Sequence, residues 1–457
     1  MPAFTLHEVV AATGASVFAQ EKEDFCDLVS DTRKITEGVL FFAFQGERFN
    51  GEDFAAEALR KGAAGVMVSR SCPEKILRQC RGTVLQVDDT LAAYQQLAHA
   101  WRKKFPHLPV VAITGSNGKT TTKDLTAAVL SARGSVLKTQ ANFNNEIGLP
   151  LTLLGIREQH TAAVVEIGMR GLHQIEAMAP IAEPQIGIVT NVGETHIELL
   201  GSVENIAKAK AELVEAIPAG GTVILNADNP YVADMSRLAG KGVRVLTFGM
   251  DEEADIRGKD IHTEGKATCF AVTYKGKCHE YSIGMVGRHN VYNALAAIAA
   301  GFALGLAPAE IREGLQNLEA TKMRFECSRV KEWNVVNDAY NASPMSMAAA
   351  IRTLAELTDG RKVAVLGDML ELGSVAAEAH RTVGRELGQH HFAAVVTRGE
   401  MGNYIAEGAE KSGVPLVCRC GSHQEAADRL HEILQPEDTI LFKGSRGMQM
   451  EKIIDLL

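Results

Sequence analysis

Residues 110 to 121 read Val-Val-Ala-Ile-Thr-Gly-Ser-Asn-Gly-Lys-Thr-Thr, an apolar strand that runs straight into a glycine-punctuated loop ending in Lys119-Thr120-Thr121 and opening a helix. A strand handed over to a helix in so few residues commits the surrounding chain to a parallel α/β sheet with this loop at its carboxyl edge. Gly115 and Gly118 let backbone N–H groups turn inward, and the helix start adds its positive dipole end. Lys119 can reach the β- and γ-phosphates, and the Thr120 hydroxyl can coordinate Mg²⁺. Thr114, Gly115, Ser116, Asn117, Gly118, Lys119, Thr120 and Thr121 are therefore expected to cradle a nucleoside triphosphate. The usual spacing G-x-x-x-x-G-K-[ST] would place a glycine where Ile113 stands, so this is a shortened variant, T-G-x-x-G-K-T-T.

A chain of 457 residues exceeds one hydrophobic core, and three domains are expected, at 1–104, 105–320 and 321–457. The first reads as a small α/β domain, with a helix near Leu6 to Thr13, a strand from Gly38 to Phe44 and a helix from Ala55 to Lys61. Pro106 and Pro109 punctuate the chain before the phosphate-loop strand. In the middle unit, strand-length apolar runs at 162–166, 186–191, 222–226 and 243–248 alternate with helical stretches, which argues a parallel sheet. Short alternating segments from Ala254 to Ile283, turned at Gly265 and Gly276, form a β-rich excursion. From Met323 the cycle restarts as a second, Rossmann-like sheet without a phosphate loop. Asn337-Asp338, Gly367-Asp368 and Lys443-Gly444-Ser445-Arg446 fall at the carboxyl ends of its strands, where such sheets carry function.

Net charge is −9, with Lys and Arg scattered, so a nucleic-acid partner is not expected. The eight cysteines are irregularly spaced, and Cys418-Arg419-Cys420 has the wrong spacing for a zinc knuckle. Reduced thiols in a cytoplasmic protein are the simplest account, and the N-terminus lacks a secretory signal. The most apolar stretch, Ala294 to Ala307, is short and broken by Gly301 and Gly305, so it reads as a buried helix rather than a membrane span.

Glu166 ends the apolar run 162–165, where a carboxylate suits a strand tip better than a sheet core, and His196 follows the strand 186–191. With Thr120 they are expected to converge on Mg²⁺ from adjacent strand ends. Taken singly, a glutamate and a histidine fit surface or capping roles as well.

Thr114–Thr121, Glu166, His196, Gly287-Arg288-His289-Asn290-Val291-Tyr292-Asn293-Ala294, Met323-Arg324-Phe325-Glu326 and Asn337-Asp338-Ala339-Tyr340-Asn341-Ala342-Ser343-Pro344 occur in the order seen in the Mur ligases. The chain resembles that family along essentially its whole length. Gly367-Asp368-Met369-Leu370-Glu371-Leu372-Gly373 and Lys443–Arg446 resemble its dipeptide-adding branch. The resemblance implies an ATP-dependent amide ligase joining D-alanyl-D-alanine to UDP-N-acetylmuramoyl-tripeptide through an acyl phosphate, with two Mg²⁺ ions. A monomer is expected.

The resemblance also implies roles for single residues. Lys210 matches a lysine that the family carbamylates to ligate the second Mg²⁺, while Lys208 is a neighbouring surface lysine. His289, Asn290 and Asn293 resemble adenine contacts, although N-terminal capping would also explain Asn290. Arg324 resembles an arginine that meets the phosphates and Asp338 a carboxylate for the ribose, with Tyr340 and Asn341 beside it. Asp31-Thr32-Arg33 and Gln45-Gly46-Glu47-Arg48 resemble a uridine-diphosphate segment, implicating Thr32, Arg33, Gly46 and Arg48. Glu52 stands where a histidine is frequent. Asn142, Asn144 and Asn145 match a stretch lining the muramoyl-peptide site, and a run of turn asparagines is the alternative. Asp368, Lys443, Ser445 and Arg446 are assigned to the acceptor, with Arg446 or Lys443 pairing its carboxylate. Other ligases of the superfamily, such as the amino-acid-adding relatives or folylpolyglutamate synthetase, and a phosphate-loop NTPase switch remain the rival readings.

Overall fold

A computed structural model describes residues 2–46, 49–251, 253–318 and 321–457. The chain divides into two compact units, one of Met1–Val110, Ser135–Ile167 and Glu176–Pro184, the other of Val111–Gly134, Gly168–Ile175 and Gln185–Leu457.

The phosphate-loop strand Val110–Thr114 is buried at every position. A continuously buried run of this kind, rich in Val and Ile, fits a parallel strand covered on both faces. It pairs in parallel with Ile186–Val189, Ile113 opposite Ile188, and the sheet continues in parallel through Thr222–Asn226 and Arg244–Gly249. Burying each Val or Ile side chain of these strands contributes on the order of 1.5–3 kcal/mol. The strand expected over 186–191 stops at Val189, because Thr190 and Asn191 turn their side chains onto the phosphate loop.

Beyond Arg244–Gly249 lies the β-rich excursion, three strands at Ile256–Glu264, Ala267–Tyr274 and Lys277–Ile283 paired antiparallel to each other. Gly265 and Gly276 turn its hairpins with φ of 62° and 73°. The Ala-rich run is the buried helix Arg288–Ala303. Its Gly301 lets the backbone approach the phosphate-loop helix Lys119–Leu130, since a Cβ there would stand 2.8 Å from Val129 Cγ1.

The same unit holds a six-stranded sheet in the order Glu326–Val330, Trp333–Asn337, Thr439–Lys443, Lys362–Gly367, Ala394–Arg398, Leu416–Cys420. All neighbours are parallel except the first pair, an antiparallel edge hairpin the sequence did not signal. Its two faces bury separate apolar clusters, around Met347, Ile351 and Leu387 and around Val363, Phe442 and Ile453. Ser343 and Ser422 cap the helices Pro344–Leu357 and His423–Ile433.

In the first unit a five-stranded sheet runs Ser16–Ala19, Thr83–Val87, Gly65–Ser69, Leu40–Phe42, Leu28–Val29, with only the first pair antiparallel. Among the described residues no helix is long and apolar enough to cross a membrane.

Candidate active site

Packing dictates where the phosphate loop can carry side chains. Gly115 has φ 151°, and a Cβ there would lie 1.9 Å from Thr190 Oγ1. Gly118 has φ 80°, and its Cβ would lie 2.3 Å from Asn293 Oδ1. Both positions demand glycine on conformational and steric grounds. Thr190 Oγ1 and Asn191 Nδ2 donate to Asn117 O at 2.6 and 3.0 Å, Asn117 N–H donates back to Asn191 Oδ1 at 2.8 Å, and Ser116 Oγ donates to Gly193 O at 3.0 Å. The loop is thereby fixed before any ligand arrives. Lys119 folds over it, its Nζ donating to Gly115 O at 2.7 Å and Ser116 O at 3.4 Å.

Behind the loop, Thr122 Oγ1 donates to Asn293 Oδ1 at 3.1 Å, Asn293 Nδ2 to Asn290 Oδ1 at 3.2 Å, and Asn290 Nδ2 to Val286 O at 2.8 Å. Asn290 and Asn293 are buried. The two residues assigned to adenine thus lie on one helical face, three residues apart as expected, and form a polar strut supporting Gly118. His289, partly buried, lies 3.5 Å from Thr353 Oγ1. Burial first, then Lys443, pushes its pKa down to about 4 against the pull of Asp338.

Arg324, two residues before the edge hairpin, reaches the loop, its Nη2 donating to Thr120 Oγ1 at 3.1 Å and its guanidinium stacking over the Tyr340 ring at 4.1 Å. Among the described residues its buried Nε has no hydrogen-bond partner, nor has the buried hydroxyl of Thr195. Orphaned donors beside a phosphate loop are what an anion would satisfy. Ser343 Oγ donates to Asn117 Oδ1 at 2.8 Å, a contact the sequence reading did not anticipate.

His196 sits in the left-handed region at φ 59°, its Nδ1–H donating to Glu371 Oε2 at 2.5 Å. Burial, together with Lys119 and Lys210, lowers its pKa although Glu371 opposes them. Lys119, Lys210 and His196 therefore lie within electrostatic range of each other. Lys210 is 2% exposed, and burial, with Lys119 as the second cause, holds its amine well below the ordinary lysine range. A neutral amine is the form that adds to CO₂, and the resulting carbamate would supply a carboxylate-like ligand near Lys119 and His196. The donor set of Thr120 hydroxyl, imidazole and a potential carbamate fits a divalent cation.

At the carboxyl edge of the six-stranded sheet, Asp338 Oδ1 accepts from Phe325 N–H at 3.1 Å and Oδ2 from Lys443 Nζ at 2.6 Å. Lys443 also donates to Asn341 O at 3.0 Å and is buried. Its charge is thus taken up inside the protein. Arg446 keeps a half-exposed guanidinium, paired with Glu451 at 2.6 Å. Asp368 accepts from Gly402 N–H at 2.7 Å, Ser445 Oγ from Leu370 N–H at 2.9 Å and His380 Nε2 from Met369 N–H at 2.9 Å. Together these fix the loop that delivers Glu371. A cleft of about 950 Å³ on the β-rich excursion is lined by Arg244, Arg257 and Lys259 and by none of the phosphate-loop residues.

In the first unit, Asn144 Nδ2 donates to Glu166 Oε1 at 2.7 Å, joining two of the candidate residues at the tip of His160–Glu166. Asn145 Oδ1 instead accepts from Gly148 N–H at 2.9 Å at a helix start, as a turn asparagine does, and Asn142 is exposed. Arg33 forks onto Asp31, holding that carboxyl down to about 2, and Thr32 opens the short helix Asp31 caps. Gly46 N–H donates to Phe49 O at 2.9 Å, and Arg48 lies outside the described residues. Glu52 is 1% exposed and accepts from Ser69 N–H at 2.9 Å and Ser69 Oγ at 2.6 Å. A buried carboxylate locked to a strand is a structural anchor here.

These features coincide with one family along the chain. The descriptions "Mur ligase family, catalytic domain", "Mur ligase middle domain" and "Mur ligase, glutamate ligase domain" match residues 28–102, 113–301 and 323–446. The chain belongs to the Mur ligase family. It is 40% identical over 430 residues to the UDP-N-acetylmuramoyl-tripeptide--D-alanyl-D-alanine ligase of Bacillus subtilis, covering 93% of this chain and 92% of that one. To the Escherichia coli enzyme of the same name it is 35% identical, covering 94% and 93%. A crystal structure of MurF from Acinetobacter baumannii matches with a TM-score of 0.91 at 29% identity, covering 100% and 99%. The MurF ligase of Thermotoga maritima in complex with ADP matches at 0.84 and 26%, covering 94% and 96%. The three-domain α/β fold expected from the sequence is the fold of this family.

Proposed function

We propose that this chain is the ATP-dependent ligase that joins D-alanyl-D-alanine to UDP-N-acetylmuramoyl-tripeptide, in the cytoplasm, for peptidoglycan precursor synthesis. The carrying observation is the packed phosphate loop, with the Lys119 ammonium folded over it and the Arg324 guanidinium reaching Thr120. Such an array of inward N–H groups and cationic side chains suits a polyanion.

A carboxylate is a poor electrophile. In this reading the terminal carboxylate of the tripeptide takes the γ-phosphoryl group of ATP, giving an acyl phosphate and ADP. The free amine of the dipeptide then attacks the acyl carbon, a tetrahedral species forms, the amine loses its proton and inorganic phosphate leaves. Lys119 and the loop N–H groups hold the transferring phosphoryl, and Arg324 pairs with its oxygens in place of Thr120. Mg²⁺, when bound, neutralises developing phosphate charge; Thr120, Glu166, His196 and carbamylated Lys210 are the residues we assign to hold it, as two ions. His289, Asn290, Asn293 and Asp338 are assigned to the nucleoside side. Thr32, Arg33, Gly46, Arg48, Asn142, Asn144 and Asn145 are assigned to the UDP-muramoyl-peptide. Tyr340, Asn341, Asp368, Lys443, Ser445 and Arg446 are assigned to the acceptor side. The domain limits that go with these roles are 1–104, 105–320 and 321–457.

The test is isotopic. A tripeptide substrate with ¹⁸O in its terminal carboxylate should pass one ¹⁸O into the released phosphate, because that oxygen bridges carbon and phosphorus in the acyl phosphate. Phosphate without label would refute this route.

A further inference from the structure

Glu371 belongs to the motif Gly367–Gly373, and the proposed reaction gives it no role. It lies 175 residues from His196 in sequence, yet its Oε2 is 2.5 Å from His196 Nδ1. Both residues are non-glycine and left-handed, at φ 62° and 59°. Each such backbone costs on the order of 1–2 kcal/mol, so the surroundings must over-determine the pair, and strain of this kind gathers at working sites.

The surroundings do so. Met369 and Leu370 N–H groups are held by His380 and Ser445 at 2.9 Å each, and Asp368 by Gly402 N–H at 2.7 Å. Glu371 O accepts from Glu198 N–H at 3.4 Å, two residues beyond His196. A Cβ on Gly373, which has φ 52°, would stand 3.2 Å from Glu198 Cβ, so the turn fits against the segment that carries the histidine. Arg170 NH2 approaches the other carboxylate oxygen, Oε1, at 3.6 Å, which leaves Oε2 for the imidazole.

An imidazole can offer a lone pair from only one nitrogen while the other carries its proton. A carboxylate at Nδ1 keeps the proton there and presents Nε2 as the ligand atom, the arrangement by which carboxylates orient metal-binding histidines. We propose that Glu371 is a positioning residue: it fixes the tautomer and ring orientation of His196, so that the loop from the six-stranded sheet sets the affinity of the cation beside the phosphate loop. This rests on His196 being a metal ligand.

The experiment measures Mn²⁺ binding to the full chain by electron paramagnetic resonance with saturating ADP, and ADP binding without metal by calorimetry. Glu371→Gln should weaken Mn²⁺ binding about ten- to hundredfold, Glu371→Asp less, and His196→Ala at least as much as Glu371→Gln. The double variant His196→Ala/Glu371→Gln should bind Mn²⁺ no more weakly than His196→Ala, with metal-free ADP binding unchanged in Glu371→Gln. Weakened Mn²⁺ binding in His196→Ala but not in Glu371→Gln overturns the role of Glu371 alone. Unchanged Mn²⁺ binding in His196→Ala overturns the ligand assignment and this proposal with it. Equal loss of metal-free ADP binding in Glu371→Gln would mean a merely structural contact and also overturns it.

Discussion

Gly118→Ala should damage the protein through Asn293 rather than through the nucleotide. The added Cβ would stand 2.3 Å from Asn293 Oδ1, on a backbone at φ 80°. The left-handed conformation costs about 1 kcal/mol for alanine. Relieving the clash requires Asn293 to leave its bonds to Thr122 and Asn290, at 3.1 and 3.2 Å. Two buried hydrogen bonds at about 1 kcal/mol each bring the total to about 3 kcal/mol. Asn293→Ala alone should cost about 2 kcal/mol by losing the same bonds. The double variant keeps the strain and loses the bonds only once, so it should cost about 3 kcal/mol, below the sum of the singles by about 2 kcal/mol. Urea unfolding followed by circular dichroism, with the four proteins compared at one temperature, reads the cycle directly. Additive losses would refute the strut, and an Asn293→Ala variant of unchanged stability but weakened ATP binding would make Asn293 a ligand contact only.

Lys210→Ala should be nearly inactive and regain activity with added short carboxylates, whereas Lys208→Ala should match the wild type; equal small effects would remove the carbamate. His289, with its pKa pushed down to about 4 by burial, stays neutral in the fold while the unfolded chain takes up a proton near pH 6.5. Stability is therefore full above about pH 6.5 and falls as the pH drops toward 4, by about 3 kcal/mol; His289→Gln should flatten this part of the melting-temperature profile, and an unchanged slope would contradict the burial. Arg446→Ala should raise the KM for D-alanyl-D-alanine well above its effect on the KM for ATP, and the opposite order would move the acceptor carboxylate elsewhere.

The phosphate loop was legible because its chemistry is contiguous: Thr114 to Thr121 carry the turn, the donors and the lysine within one strand–helix junction. The parallel sheets were legible for a similar reason, since fully buried strands such as Val110–Thr114 and Thr222–Asn226 read as unbroken apolar runs. The edge strand Glu326–Val330 is largely exposed, so its sequence carries no such pattern. Pairings between distant residues were not legible. Nothing in Glu371 announces His196, and nothing in Lys443 announces that Asp338 neutralises it. Glu52 was noted only as standing where a histidine is frequent, and its burial against Ser69 was not legible, because only the fold brings that strand beside it. Asn290 and Asn293 were singled out by the family resemblance, and their spacing put them on one helical face, but whether that face meets ligand or loop depended on the packing of Gly118.

The central claim is that nucleotide turnover is coupled to amide formation. It is tested most directly by measuring phosphate release and product mass together, with ATP and Mg²⁺ present and UDP-N-acetylmuramoyl-tripeptide or D-alanyl-D-alanine omitted in turn. The account predicts sustained phosphate release only with both substrates, matched one to one by a product of tripeptide plus dipeptide less one water. Steady release without either substrate, or a product formed from a free amino acid in preference to the dipeptide, would contradict it.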